Sequence, residues 1–309
     1  MLGVHVSKTS KILDPSKYDA RNTMLDAITQ DCEELKLNCC QIFTHGPANS
    51  HINAMDYSAV ENYCTINQIT LFVHSAYMTT GIWNIKESNK SDPKSVYTIN
   101  LLVSQFECCE KLNSKGLVIH TPKKEPGIII EALKIVIPFI KEFKTPLIFE
   151  MTAVKPDPTK TYETPEKINN LNKLLHQEFP AYDNWGWCID TCHLWSAGIE
   201  MNDVATVNKW LTTLDKPEKI KLFHLNGASI STFNTGKDNH KVAFGADDDI
   251  WNKIININTG YIKKKVKKSS IYTIVEFAKI HNISIICEIN RGDYKEIEFS
   301  MKAIRRMFI

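Results

Sequence analysis

The chain has 309 residues, 43% of them hydrophobic and 23% charged, with a formal net charge of +2. That is ordinary globular composition, long enough for one large α/β domain or two smaller ones, and its bulk charge does not mark it as a nucleic-acid binder. No apolar run approaches the roughly 20 residues of a membrane helix. The opening MLGVHVS lacks the basic and apolar regions of a secretory signal, so the expectation is an intracellular protein, of cytoplasm or nucleus, with no membrane partner. Nine cysteines include the adjacent pairs Cys39-Cys40 and Cys108-Cys109 but no C-x-x-C. They read as buried reduced thiols and not as a disulfide framework or a zinc ribbon.

In chain order, short apolar runs alternate with amphipathic stretches. The first strand is expected at Leu2–Val6, followed by a helical stripe of Leu25, Ile28, Cys32 and Leu35. Strands at Cys39–Thr44 and Thr70–His74 precede a second stripe, Ile99, Leu102, Val103 and Phe106. Gly116–His120 and Leu147–Glu150 are the next strands. Thr164-Pro165 then opens a helix carrying Ile168, Leu171, Leu174 and Leu175, with proline at the first helical position. A strand at Trp187–Asp190, a stripe of Val204, Val207, Leu211 and Leu214, and strands at Lys221–Leu225 and Ser284–Glu288 complete the series. The runs are apolar on both faces, the pattern of strands covered on both sides in a parallel sheet. Asp247 to Ser270 reads as an insertion before the last strand. It contains the run Lys263-Lys264-Lys265-Val266-Lys267-Lys268, which suits a solvated face, a phosphate-contacting patch or a targeting signal.

Eight strands with helices between them predict an α/β fold, a single-domain (β/α)8 TIM barrel over 1–309. The runner-up is an open doubly wound sheet, for which no G-x-G-x-x-G or Walker A sequence speaks. In such a barrel, catalytic groups stand where strands end and the following loops begin. Metal-type side chains recur at those places: His74, His120, Glu150, Asp190, His193, His224 and Glu288, with Asp238 and His240 in the loop after the seventh strand. Histidine with carboxylate suits zinc, and also manganese or iron. Nine ligands exceed one tetrahedral zinc site. Three divalent ions against four carboxylates would leave about two positive charges, which favours a phosphate ester over a neutral sugar.

At this point the chain resembles the endonuclease IV family of zinc-dependent apurinic/apyrimidinic endonucleases. The resemblance runs from Gly3 to about Gly292 and rests on Gly3-Val4-His5-Val6-Ser7, on Cys188-Ile189-Asp190-Thr191-Cys192-His193 with Ala197-Gly198, on His224-Leu225-Asn226 and on Asp238-Asn239-His240. It implies a barrel with three metal ions at the C-terminal mouth. His74, His120 and Glu150 would hold the first. Glu150 would bridge to a second, shared with Asp190, His224 and Glu288. His193, Asp238 and His240 would hold the third. Glu288 and Glu150 carry the catalytic roles, Glu288 by positioning the hydroxide nucleophile. Tyr77, Asn226 and Arg291 are the expected substrate contacts. The implied reaction cuts the phosphodiester 5′ to an abasic site in duplex DNA, leaving a 3′-hydroxyl and a 5′-deoxyribose phosphate, with cleaning of blocked 3′ ends as a companion activity and the protein acting as a monomer. The family bends the duplex and flips the abasic nucleotide into the site.

The chain departs from the family pattern in its loops. Thr44-His45-Gly46-Pro47-Ala48-Asn49 lacks the arginine and glutamine that enter the duplex in bacterial members, and Gly227 stands where aspartate is common. Asn239 and Lys241 replace a common arginine and histidine. The ligands survive these changes, and the loops look more like those of large DNA viruses. The lysines between 263 and 268 would supply phosphate contacts that the loops lack. His5 reads as a hydrogen-bonding support of the metal ligands, and His45, His51, His176 and His281 as solvated. A metal-dependent sugar isomerase or epimerase of a related barrel is the alternative, predicting a smaller ligand set. A DNA-binding protein that has lost catalysis is the third reading, predicting a missing Glu150 or Glu288.

Overall fold

Eight parallel strands close on themselves in the computed structural model, which describes residues 1–8, 21–48, 50–251, 255–256, 261–262, 269–288 and 294–308. They are β1 (Leu2–His5), β2 (Cys39–Phe43), β3 (Thr70–His74), β4 (Leu117–His120), β5 (Leu147–Glu150), β6 (Trp185–Asp190), β7 (Ile220–His224) and, after a short antiparallel pair β8 (Ile255–Asn256) and β9 (Tyr261–Ile262), β10 (Ser284–Cys287). The barrel order is β1-β10-β7-β6-β5-β4-β3-β2. All pairings around it are parallel. The fold is the expected (β/α)8 barrel, and each expected strand lies within two residues of an observed one. The pair β8 and β9 falls inside the stretch read as an insertion; the lysines between 263 and 268 lie outside the described residues.

The outer helices are α1 (Met24–Glu34), α2 (Tyr57–Ile66), α3 (Pro93–Lys111), α4 (Pro126–Ile140), α5 (Pro165–Glu178), the short α6 (Thr191–Ser196), α7 (Val204–Thr212), α8 (Ser270–Ile280) and α9 (Tyr294–Phe308). Their starts follow local chemistry. Thr23 and Asp26 form a reciprocal capping box at α1, and proline occupies the first turn of α3, α4 and α5, where its missing N–H costs nothing. The apolar stripes turn inward: Ile28, Cys32, Ile99, Leu102, Phe106, Ile168, Leu171, Leu175, Val207 and Leu211 are all buried. All nine cysteines are free and buried. Among the described residues, no helix is long and apolar enough to cross a membrane.

The barrel interior is layered. Cys39, Phe72, Val118, Ile148, Cys188, Leu222 and Ile286 pack together as one apolar cluster. Side chains on a strand return to the same face every second residue. The next inward layer toward the strand ends is therefore two residues further along each strand, and that layer is polar.

Candidate metal centre

Every barrel strand places a polar side chain in this layer: His5 from β1, Gln41 from β2, His74 from β3, His120 from β4, Glu150 from β5, Asp190 from β6, His224 from β7 and Glu288 just past β10. Strand register aligns them, with His120 opposite Glu150 and Asp190 opposite His224. Helix α6, directly after β6, adds His193, and the loop after β7 adds Asp238 and His240. The structure thus brings all nine residues singled out in the sequence to one place.

Glu150 is the centre. Its side chain is 0% exposed, and four imidazoles face it. One oxygen lies 3.1 Å from His74 Nε2 and 3.3 Å from His120 Nε2. The other lies 3.2 Å from His224 Nδ1 and 3.4 Å from His193 Nδ1. His224 Nδ1 also stands 3.3 Å from Glu288 and 3.7 Å from Asp190. In the third corner, His193 Nε2 and His240 Nε2 are 3.3 Å apart, and Asp238 Oδ1 lies 3.6 and 3.1 Å from them. Ligand atoms of His74, His120 and Glu150 lie within 4.8 Å of one another. So do those of Glu150, Asp190, His224 and Glu288, and those of Asp190, His193 and His240.

This donor set fits metal ions. Two ring nitrogens that face each other at 3.3 Å, close to a shared carboxylate, are poorly served by hydrogen bonding alone and well served by a common cation. The remote nitrogens are already occupied. His74 Nδ1 lies 2.8 Å from the Ser75 carbonyl and His193 Nδ1 2.6 Å from the Met151 carbonyl. Each therefore donates there and turns a lone pair on Nε2 toward the cluster, as metal-ligating histidines commonly do. The same demand for positive charge shows in the titration of the groups. Burial opposes ionisation of Glu150, yet the charges of His224 and His120 hold it well below the usual carboxylate range. Burial would lower His193, but Asp190, Asp238 and Glu150 raise it to about 10.

Above the cluster is a cavity of about 310 Å³ lined by Phe43, Tyr77, Asn239 and Lys241 together with ligand side chains. A larger groove at the other end of the barrel, with Lys111, Lys144 and Lys221 in its walls, holds none of the nine. Tyr77, expected as a substrate contact, is 50% exposed and stands over His120 at 5.6 Å between ring centroids. Asn226 has a different place from the one expected. It is fully buried, donating to Asp190 Oδ2 at 2.7 Å and accepting from the Glu288 N–H at 2.8 Å. It supports two members of the cluster and does not line the cavity. Arg291 lies outside the described residues. His45, read as solvated, is 1% exposed, its ring held 3.1 Å from both Thr44 Oγ1 and, on α3, Ser104 Oγ, where the sequence suggested an open loop. His51, His176 and His281 are exposed. Sequence reasoning passed over Gln41, which is buried among the ligands; the signal for it was its place two residues beyond the inward-facing Cys39.

A family model described as xylose isomerase-like TIM barrel matches residues 29–307. The chain belongs to that family. Among its curated relatives, a protein named probable AP endonuclease of African swine fever virus (isolate Warthog/Namibia/Wart80/1980) is 28% identical over 270 residues, 85% of this chain and 82% of that one. A probable endonuclease 4 of Metamycoplasma arthritidis is 25% identical over 303 residues, covering 94% of this chain and 93% of its own length. Among solved structures, that of AsfvAP:AG superposes with a TM-score of 0.79 at 24% identity, covering 99% of this chain and 97% of the other. The family's fold is thus shared over essentially the whole chain.

Proposed function

We propose that this protein is a metal-dependent DNA-repair endonuclease that hydrolyses the phosphodiester 5′ to an abasic site in duplex DNA, giving a 3′-hydroxyl and a 5′-deoxyribose phosphate. The observation that carries the reading is the gathering of nine His, Asp and Glu side chains at the barrel mouth, with four of the histidines on the buried Glu150. Relatives named AP endonuclease and endonuclease 4 support it. Three zinc ions, with manganese or iron as substitutes, would be held by His74, His120 and Glu150, by Glu150, Asp190, His224 and Glu288, and by His193, Asp238 and His240. When bound, such ions supply positive charge to a phosphate ester and lower the pKa of water.

The chain's own residues account for the rest. Glu150 has no solvent exposure and serves as a shared carboxylate between neighbouring ligand groups. Glu288 is 12% exposed and faces the cavity, which supports a role in orienting the attacking hydroxide. Tyr77, with its ring over His120, offers a flat wall for a sugar turned out of the duplex. Removal of 3′-blocking groups follows from the same chemistry. The protein acts as a monomer on intracellular DNA, and the lysines between 263 and 268 supply phosphate contacts; changing them to alanine should flatten the salt dependence of DNA binding, and an unchanged slope would sink that assignment. The family's description also admits a sugar isomerase, but the added Asp238, His193 and His240 corner favours the larger metal set of a phosphodiesterase.

The deciding experiment is incision of a duplex oligonucleotide bearing one tetrahydrofuran abasic analogue, against an undamaged duplex, with metal content measured on the same sample. A single cut 5′ to the analogue establishes the reading. A fully metallated protein that leaves the duplex whole overturns it.

A further inference from the structure

The carboxamide of Gln41 is fully buried and satisfied on both atoms. Its Nε2 lies 2.7 Å from Glu288 Oε1 and 3.1 Å from His5 Nδ1, and its Oε1 lies 2.9 Å from His224 Nε2. The direction of these bonds follows from the Glu288 end. A carboxylate has no hydrogen to give, so the amide nitrogen must face it; the opposite assignment would press two acceptor oxygens together. The second N–H of the amide then meets His5 Nδ1, which must carry the lone pair. The amide oxygen meets His224 Nε2, which must carry the proton. A metal ion that takes the place of a second proton then meets the His224 lone pair on Nδ1, the atom 3.2 to 3.7 Å from oxygens of Glu150, Glu288 and Asp190. His5 keeps its proton on Nε2, for which no partner stands among the described residues, at the edge of the cavity it lines.

We propose that Gln41 is the positioning residue of this centre: one amide holds His224 with its Nδ1 lone pair toward the metal position, orients Glu288, and holds His5 as a neutral Nε2–H donor toward a bound anion. The inference rests on the metal-dependent reading above. Its geometry is long-range, since Gln41 on β2 reaches across the mouth to β7 and β10. A merely space-filling glutamine would not need a partner on each polar atom.

Gln41→Met keeps the length and apolar volume and removes donor and acceptor together. Zinc affinity, measured by competition with a chelator, is expected to fall about 10- to 100-fold. An independent readout uses wild-type protein, zinc-loaded and carrying 15N-labelled histidine. His224 and His5 are expected to show their protons on Nε2, and these signals are expected to shift in the variant. Zinc affinity in Gln41→Met within twofold of wild type overturns the proposal. So does a wild-type His224 with its proton on Nδ1, whether or not the variant folds. Wild-type protein that takes up no zinc at all overturns the metal reading itself, a failure distinct from the other two.

Discussion

Glu150 and Glu288 are carboxylates of one layer in unlike surroundings, and the difference underlies the roles proposed for them. Four imidazole nitrogens surround Glu150 within 3.4 Å, with no solvent. Glu288 has one face on His224 at 3.3 Å, a bond from Gln41, and an opening to the cavity. Replacing Glu288 by glutamine keeps the shape but removes the acceptor oxygen that would orient the hydroxide. Single-turnover incision is expected to drop roughly 10²- to 10⁴-fold with the fold retained by circular dichroism; near-normal incision would remove Glu288 from its role. These carboxylates were legible in the sequence because a charged residue closing an apolar run such as LIFE or IICE has few structural reasons to be there. Gln41 closes a similar run, but an amide is common in cores and is a poor metal ligand, so its residue type hid its position. Asn226 was legible as part of the site and misplaced within it, because only the three-dimensional path shows that its amide is spent on Asp190 and Glu288.

At the scale of elements, the loop after β2 braces Tyr77, which lines the cavity from the side of β3, and the loop after β7 forms much of the cavity wall. The first is anchored by His45. Ser104 Oγ donates to the Leu101 carbonyl at 2.9 Å, so it accepts from His45 Nε2–H and leaves Nδ1 to accept from Thr44. Pro47 of the same loop accepts from the Tyr77 N–H at 2.8 Å, which ties the loop to the exposed tyrosine. Burial lowers the His45 pKa. A histidine whose folded pKa is depressed contributes stability fully above its unfolded value near 6.5, and that contribution is lost as pH falls through the folded value. His45→Asn should therefore flatten the decline of melting temperature below about pH 6.5; an identical acid limb in both proteins would count against the assignment. The second loop is anchored by Asp248, which is fully buried and accepts N–H bonds from Phe244, Ile250, Ala228 and Trp251 at 2.7 to 3.3 Å. A Cβ on Gly227 would lie 2.6 Å from its carboxyl carbon, which gives a physical reason for glycine at this position. Asp248→Ala leaves these amides unpaired and is expected to cost about 3 kcal/mol, with faster hydrogen exchange at 244, 250 and 251. Unchanged exchange there would show that the loop is held by other contacts. None of this was legible in the sequence, because His45 bonds to the hydroxyl of the distant Ser104 and Asp248 to backbone N–H groups that only the folded path of the loop turns toward it.

Over the whole molecule, the eight strands and the barrel class followed from periodicity, since a strand covered on both faces has little freedom in composition. The balance of charge at the mouth did not. Four carboxylates and five imidazoles come from one layer, helix α6 and one loop, and in the folded chain their spacing is set by a closed barrel. An unfolded chain offers no such arrangement, so metal binding and folding are linked. A site filled at a thousandfold excess over its Kd stabilises the native state by about 4 kcal/mol. For a chain of this size each kcal/mol is worth roughly 2–3 °C, so stripping one ion lowers the melting temperature by about 10 °C and stripping all three by more. Glu150, Asp190 and His224 are each 0% exposed, so ions among them leave only when the mouth opens. Loss of activity and of thermal stability under a chelator should accordingly run together, at a rate that does not increase with chelator concentration once chelator is in excess. Zinc added back should restore both. A melting temperature indifferent to chelation, in protein whose metal has been shown to leave, would mean that the nine side chains balance one another without an ion and that the cluster is a buried charge network of the fold.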